Sequence, residues 1–253
     1  MKRLFFLCFV FSAAILAYSA DPAQTEQENS LSWGLEWGIS FENEKEGGDT
    51  YNGFYFAPGL GIHSTYFTKD KSFGFFMNGF VLFPAYLSLK KNGKKTDLSI
   101  SDIDLMMQFG FLFGPAYRIA INNRCELCCG LGFDFSFLFA DMGVVTPPDN
   151  VVFDGTPITK ANGSSVSVLF GIGGDIRFRF HFSNAFFLSG GSSFTWNFSS
   201  YSSEEYSFKV NGKDYSYGSS GWDKNYNMFS IRPYICFGIN IYTKTESRLG
   251  KAP

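Results

Sequence analysis

The chain reads as an all-β protein, an eight-stranded antiparallel up-and-down transmembrane β-barrel, and three observations in its 253 residues carry that reading. Large apolar residues alternate with small or polar ones at period two through eight segments. The connections between those segments alternate long and short. Each segment keeps its bulky residues on one face and its glycines, serines and few charges on the other.

A basic start at Lys2-Arg3, an apolar run over residues 4–17 and a small residue at Ser19 mark residues 1–19 as a cleaved export signal peptide. Residues 20–30 form a polar leader without periodicity, residues 31–242 the barrel, and residues 243–253 a polar tail. In the first strand Leu31, Trp33, Leu35, Trp37, Ile39 and Phe41 share one face, opposite Ser32, Gly34, Glu36, Gly38 and Ser40. Successive strand side chains point to opposite sides of a sheet, so this is a strand with one greasy face. An acidic, glycine-rich loop over 42–52 leads to a second strand, 53–67, with Phe54, Phe56, Leu60, Ile62 and Tyr66 on its bulky side. After the turn at 68–72, a third strand over 73–89 places Phe73, Phe75, Met77, Val81, Phe83 and Leu87 outward. It fits the alternation least well, because Phe76, Phe80, Leu82 and Tyr86 fall on the inner face.

A basic loop over 90–102, turned at Asn92-Gly93, precedes the clearest hairpin of the chain. Its arms, within 105–140, alternate strictly on either side of Asn122-Asn123-Arg124. A long loop over 141–164 leads to the sixth strand, which sets Val166, Val168, Phe170, Ile172, Ile176, Phe178 and Phe180 against Asp175, Arg177, Arg179 and His181. Ser183-Asn184 turns into the seventh strand, with Phe186, Leu188, Phe194, Trp196 and Phe198 on the bulky side. The longest loop, 199–225, is rich in Tyr and Ser, and Asn211-Gly212 should turn a hairpin above the membrane. In the eighth strand Phe229, Ile231, Ile235, Phe237, Ile239 and Ile241 oppose Arg232, Tyr234, Cys236 and Gly238.

An even strand number, short turns at one end and long loops at the other are the pattern of outer-membrane barrels, with both termini in the periplasm. A soluble lipocalin-type barrel also has eight alternating strands but turns its bulky face inward. The bulky faces hold roughly 50 large side chains, or about 6,000 Å³, against roughly 3,500 Å³ of lumen in an eight-stranded barrel. They must therefore face lipid. The net charge of −2, more negative once Lys2 and Arg3 leave with the signal, offers nothing to nucleic acid.

On this pattern of strands, loops and signal peptide, the chain resembles the small outer-membrane barrels of the class of the OmpA membrane domain, OmpX and OmpW. The resemblance implies localisation in the outer membrane, lipid and the barrel assembly machinery as partners, and a monomeric barrel. Members often end their last strand in an aromatic residue that the assembly machinery recognises. Tyr242 stands there, followed here by the tail 243–253. Relatives of the OmpW type are linked to small apolar solutes, those of the OmpX type to surface interaction, and the OmpA domain to anchoring.

Glu36, Asp134, Asp175, Arg177, Arg179 and Arg232 all fall on inner faces. Buried charges of both signs pair because isolated ones are too costly to desolvate, so they read as a lumenal ion network that fills the barrel; a polar conduction path is the alternative. Glu36 should meet Arg232 where first and last strands close, and Asp134 should neighbour Asp175, Arg177 and Arg179. Enzymes built on such barrels carry His near the outer rim, whereas His63 and His181 lie toward the short turns, so no enzymatic role is expected. Cys125 and Cys129 point to one face and Cys128 to the other, which argues against a metal site and leaves no cofactor. Cys128 and Cys236, on the fifth and eighth strands, are too far apart for a disulfide.

Two function classes follow. One is a surface-exposed structural or adhesion barrel that holds an extracellular ligand through its loops, with Tyr206, Phe208, Tyr215, Tyr217 and Trp222 as contact candidates. The other is a narrow channel for small solutes.

Overall fold

A computed structural model describes residues 27–243, apart from 47, 69–71, 97–102, 146–151, 154–155, 159, 211–212 and 224–225. The signal peptide, most of the leader and the tail from residue 244 lie outside the described residues. Among the described residues every regular element is a strand: β1 Gln27–Glu46, β2 Asp49–Thr68, β3 Phe73–Leu82, β4 Tyr86–Lys91, β5 Lys94–Lys95, β6 Leu105–Ala120, β7 Cys125–Val145, β8 Val152–Phe153, β9 Thr156–Pro157, β10 Ala161–His181, β11 Phe186–Val210, β12 Lys213–Asp223 and β13 Asn227–Thr243. The antiparallel ladder runs β1, β13, β11, β10, β7, β6, β3, β2, and the β1–β2 pairing closes it into a ring of eight. Closure removes the unpaired edges that an open sheet would expose.

The third strand departs from its expected course. Opposite Ala57 and Pro58 of β2 stand three residues, Phe83, Pro84 and Ala85, because Gly59 pairs Leu82 and Phe56 pairs Tyr86. The extra residue is a bulge at a proline that cannot donate to the ladder, and it reverses the alternation. Leu87 is therefore buried inside and Tyr86 exposed, the opposite of their sequence assignment. Beyond the Leu82–Gln108 rung the pairing of β3 with β6 ends, and β4 carries β5 on its other side.

The ordered barrel also reaches further than the apolar alternation. Residues 27–30, read as polar leader, pair with both β2 and β13. Much of the two longest loops is strand, because β7, β10 and β11 continue past the apolar band and β12 folds back on β11 from Lys213 opposite Val210. In β11 the partner register skips Phe198, a second bulge, so Tyr206 and Phe208 turn toward the inside. Tyr206, Phe208 and Ala161 form a satellite core with Met142, Ile158, Val210, Tyr215 and Tyr217.

Candidate functional site

The lumen is filled by side chains that the alternation aims inward. Near the closing seam Arg232 Nε donates to Glu36 Oε1 at 3.1 Å and its Nη2 to Asp134 Oδ1 at 3.4 Å. Its guanidinium lies 3.9 Å from the centroid of Phe80. Asp134 also accepts from Ser136 and Asn197. One layer toward the short turns, Arg177 Nη2 lies 3.1 Å from Asp175, donates to Asn78 at 2.6 Å and meets His63 Nδ1 at 3.1 Å. Arg177 Nε donates to the Tyr234 hydroxyl, which donates in turn to Asp175. The other ring nitrogen of His63 sits 3.3 Å from Glu36 Oε2, so this histidine joins the two layers.

At the short-turn end Arg179 donates to Glu126 at 3.0 Å and to Thr65 at 2.6 Å. Arg118 binds Glu28 and covers the ring of Phe67, while Arg179 covers Phe187. The arginines thus have acids on their edges and aromatic rings on their faces, which uses both parts of a planar guanidinium. This accounts for Phe80, one of the inner-face residues that fit the sequence pattern poorly: it is the floor under Arg232.

The structure therefore brings Glu36, Asp134, Asp175, Arg177 and Arg232 into one connected cluster, with Arg179 one layer away. Glu36 meets Arg232. Asp134 does not meet Arg177 or Arg179, however; barrel stagger carries it to Arg232, and Arg179 takes Glu126 instead. Glu126, His63, Asn78 and Tyr234 belong to the network although sequence reasoning gave them no part in it. Their signal was the same parity, since all four lie on inner faces. His181 sits 3.5 Å from Glu126 and 3.2 Å from Asn240. Cys128 and Cys236 are buried free thiols on β7 and β13, with β10 and β11 between them.

The outer surface is the inverse of the inside. Leu131, Phe133, Ile172, Ile176, Ile235, Phe237, Trp33 and Leu60 are exposed, Leu131 at 73%, while Arg177 is at 0%. An apolar girdle around a charged interior is stable in hydrocarbon and not in water. The chain is a small eight-stranded membrane β-barrel of the outer-membrane type.

No family profile and no curated protein sequence matches the chain. Among solved structures it is similar to the outer membrane protein OprG from Pseudomonas aeruginosa, at 11% identity and a TM-score of 0.49, over 88% of this chain and 100% of that one. A major outer membrane protein from Thermus thermophilus is 12% identical, with a TM-score of 0.49 over 83% and 99% of the two chains. The attachment invasion locus protein Ail of Yersinia pestis is 13% identical, with a TM-score of 0.42 over 85% and 99%. Nothing about cargo or role follows from these likenesses; the assignment stands on the closed ladder and the exposed girdle.

The loop candidates divide. Tyr206 and Phe208 are buried, stacked on their cross-strand partners Tyr217 at 5.6 Å and Tyr215 at 6.1 Å, and so present little surface to a ligand. Trp222 is 60% exposed and packs on Tyr201 and Phe170.

Proposed function

We infer that this barrel works from its surface, as a structural or adhesion element of the outer membrane whose loops at the long end hold an extracellular ligand. The observation that carries this reading is the lumen. Arg177, Arg179 and Arg232, all fully buried, span it from β10 and β13 to acids and amides on β1, β3 and β7, which leaves little bore for a solute. In the same proposal the long loops face outward, the termini lie in the periplasm, the barrel is monomeric, and neither histidine serves catalysis because both are engaged within the lumen.

A narrow path for small apolar solutes is the second reading, and one feature favours it. Above the charged layers Ala57, Pro84, Met106, Leu138 and Met228, with Ser40, Tyr55 and Gln108 among them, surround a cavity of about 10 Å³. The test pairs two measurements on refolded protein. Unitary conductance in planar bilayers should be absent, and replacing 206–217 with a Gly-Ser linker should abolish binding to host surface or matrix while leaving solute uptake unchanged. Retained binding with lost uptake would overturn the surface reading in favour of the channel.

A further inference from the structure

One outward rung of the wall carries chemistry that the lumen does not use. The register aligns Lys95, Lys90, Asn52, Asn43 and Asn227 across β5, β4, β2, β1 and β13. The next outward rung toward the membrane centre is Phe54, Phe41, Phe229 and Trp196, with Tyr86 packed on Phe54 at 5.9 Å. Between the two rungs opens a hollow of about 330 Å³, lined by Phe41, Asn43, Asn52, Asn227 and Phe229 over a floor of Glu42 and Gly53.

Its height follows from the sequence. Outward residues of β1 are apolar from Leu31 to Phe41, ten residue steps that climb roughly 25 Å at the usual barrel tilt, the height of an apolar band. Asn43 is the first polar outward residue above it, and Asn52, Asn227 and Lys90 stand in its rung. This is where lipid headgroups lie.

The charges on the β4–β5 ribbon are handled differently on its two sides. Asn92-Gly93, with φ of 50° and 78°, makes the tight hairpin turn that fixes both arms. Lys91 is held by Asp49 at 2.7 Å and covers Tyr51 at 5.3 Å. Lys90 and Lys95 stand directly opposite one another, exposed, and neither forms an ion pair among the described residues. Like charges so placed repel, and a bound anion would offset that repulsion. Beside them, Asn43 Nδ2 donates to Asn52 Oδ1 at 2.8 Å and Trp196 Nε1 to Asn227 Oδ1 at 2.7 Å. Those bonds orient the amides and leave Asn43 Oδ1, Asn52 Nδ2 and Asn227 Nδ2 as acceptor and donors for hydroxyls.

We propose that this rung binds the headgroup of a phosphorylated glycolipid in the leaflet at the long-loop end. Lys90 and Lys95 take its phosphate, the three asparagines its sugar hydroxyls, and the aromatic rung lies along its first acyl carbons. An anionic phospholipid would satisfy the lysines alone, and a neutral glycolipid the amides alone.

Full-length barrel in nanodiscs doped with bisphosphorylated lipid A, a neutral glycolipid or phosphatidylglycerol separates these by native mass spectrometry of retained lipid. Lipid A should be retained in preference to both others. K90S/K95S should cut its retention about tenfold or more, and N43A/N227A should abolish the preference over phosphatidylglycerol. K94S/K213S, which removes one exposed lysine from the opposite face of the β5 arm and one from the β11–β12 hairpin, should change nothing. Equal retention of phosphatidylglycerol and lipid A, undiminished lipid A in K90S/K95S, or an equal loss in K94S/K213S would each overturn the proposal. All these side chains are surface residues, and circular dichroism of each variant confirms that the barrel is intact.

Discussion

The middle of the lumen and the β11–β12 hairpin are both packed regions made of strand side chains, yet they hold together on different scales. In the lumen the longest-range contacts join remote parts of the chain: Arg232 and Glu36 are 196 residues apart, and Arg177 and Asn78 are 99 apart. In the hairpin Tyr206 meets Tyr217 and Phe208 meets Tyr215 across a single ladder. A contact across the bore, such as Arg232 with Asp134 or Arg177 with Asn78, joins strands that do not pair directly, so its loss is felt by the whole barrel. A hairpin contact can be lost while the ring stays closed.

The largest effect should come from Arg232→Ala, which leaves Glu36 and Asp134 as buried carboxylates without their cation. It should lower unfolding stability by about 3 kcal/mol or more, read as a shifted urea midpoint of the refolded barrel. The triple replacement of Arg232 by Met, Glu36 by Gln and Asp134 by Asn removes all three charges and should recover most of that loss. A triple as weak as the single variant would mean that packing, and not charge pairing, holds the seam.

Gly132→Ala is next. A β-carbon there would lie 1.9 Å from the Phe113 carbonyl oxygen, within the β6–β7 ladder. The strands must part to admit it, at about 1–3 kcal/mol, again as a shift of the global midpoint. Phe208→Ala should be smaller and of another kind. Its cost is capped by the stability of the hairpin itself, about 1–2 kcal/mol, and should show as faster hydrogen exchange over 206–217 with an unchanged barrel midpoint. A shifted midpoint would erase the distinction between the two regions.

The smallest effect is at the tip where Asp49 meets Lys91. Hydrogen bonds from Lys91 and Asn92 hold the Asp49 carboxyl below the usual carboxylate pKa. A depressed carboxylate contributes order above its ordinary pKa and loses it as pH falls through the depressed value, so protection of the Thr50 amide, bonded to Asn92, should persist at neutral pH and fade in acid below about pH 4. Asp49→Asn should remove that dependence.

Much of the fold was legible because a period of two is unambiguous when one face meets lipid and the other a narrow lumen. Glu36, Asp134 and Arg232 could be aimed inward from parity alone. Their partners could not, because parity fixes the side of the wall and stagger fixes the height. Asp134 was expected beside Arg177 and Arg179 on the adjacent strand and instead reaches Arg232. The misplaced Leu87, Tyr206 and Phe208 share one cause. A bulge adds a residue and inverts everything after it, as at Phe83-Pro84-Ala85 for Leu87 and at Phe198 for Tyr206 and Phe208. Pro84 was the visible warning for the first; nothing in the sequence around Phe198 announced the second.

The seam between β1 and β13 has a meaning for the order of assembly. Until the last strand docks on the first, Glu36 and Arg232 sit at opposite ends of an open sheet, each carrying a charge that hydrocarbon would penalise by several kcal/mol. A half-built wall is thereby discouraged from entering lipid early, and the penalty disappears when the two ends meet. The ion pair that fills the finished barrel forms only when the first and last strands meet.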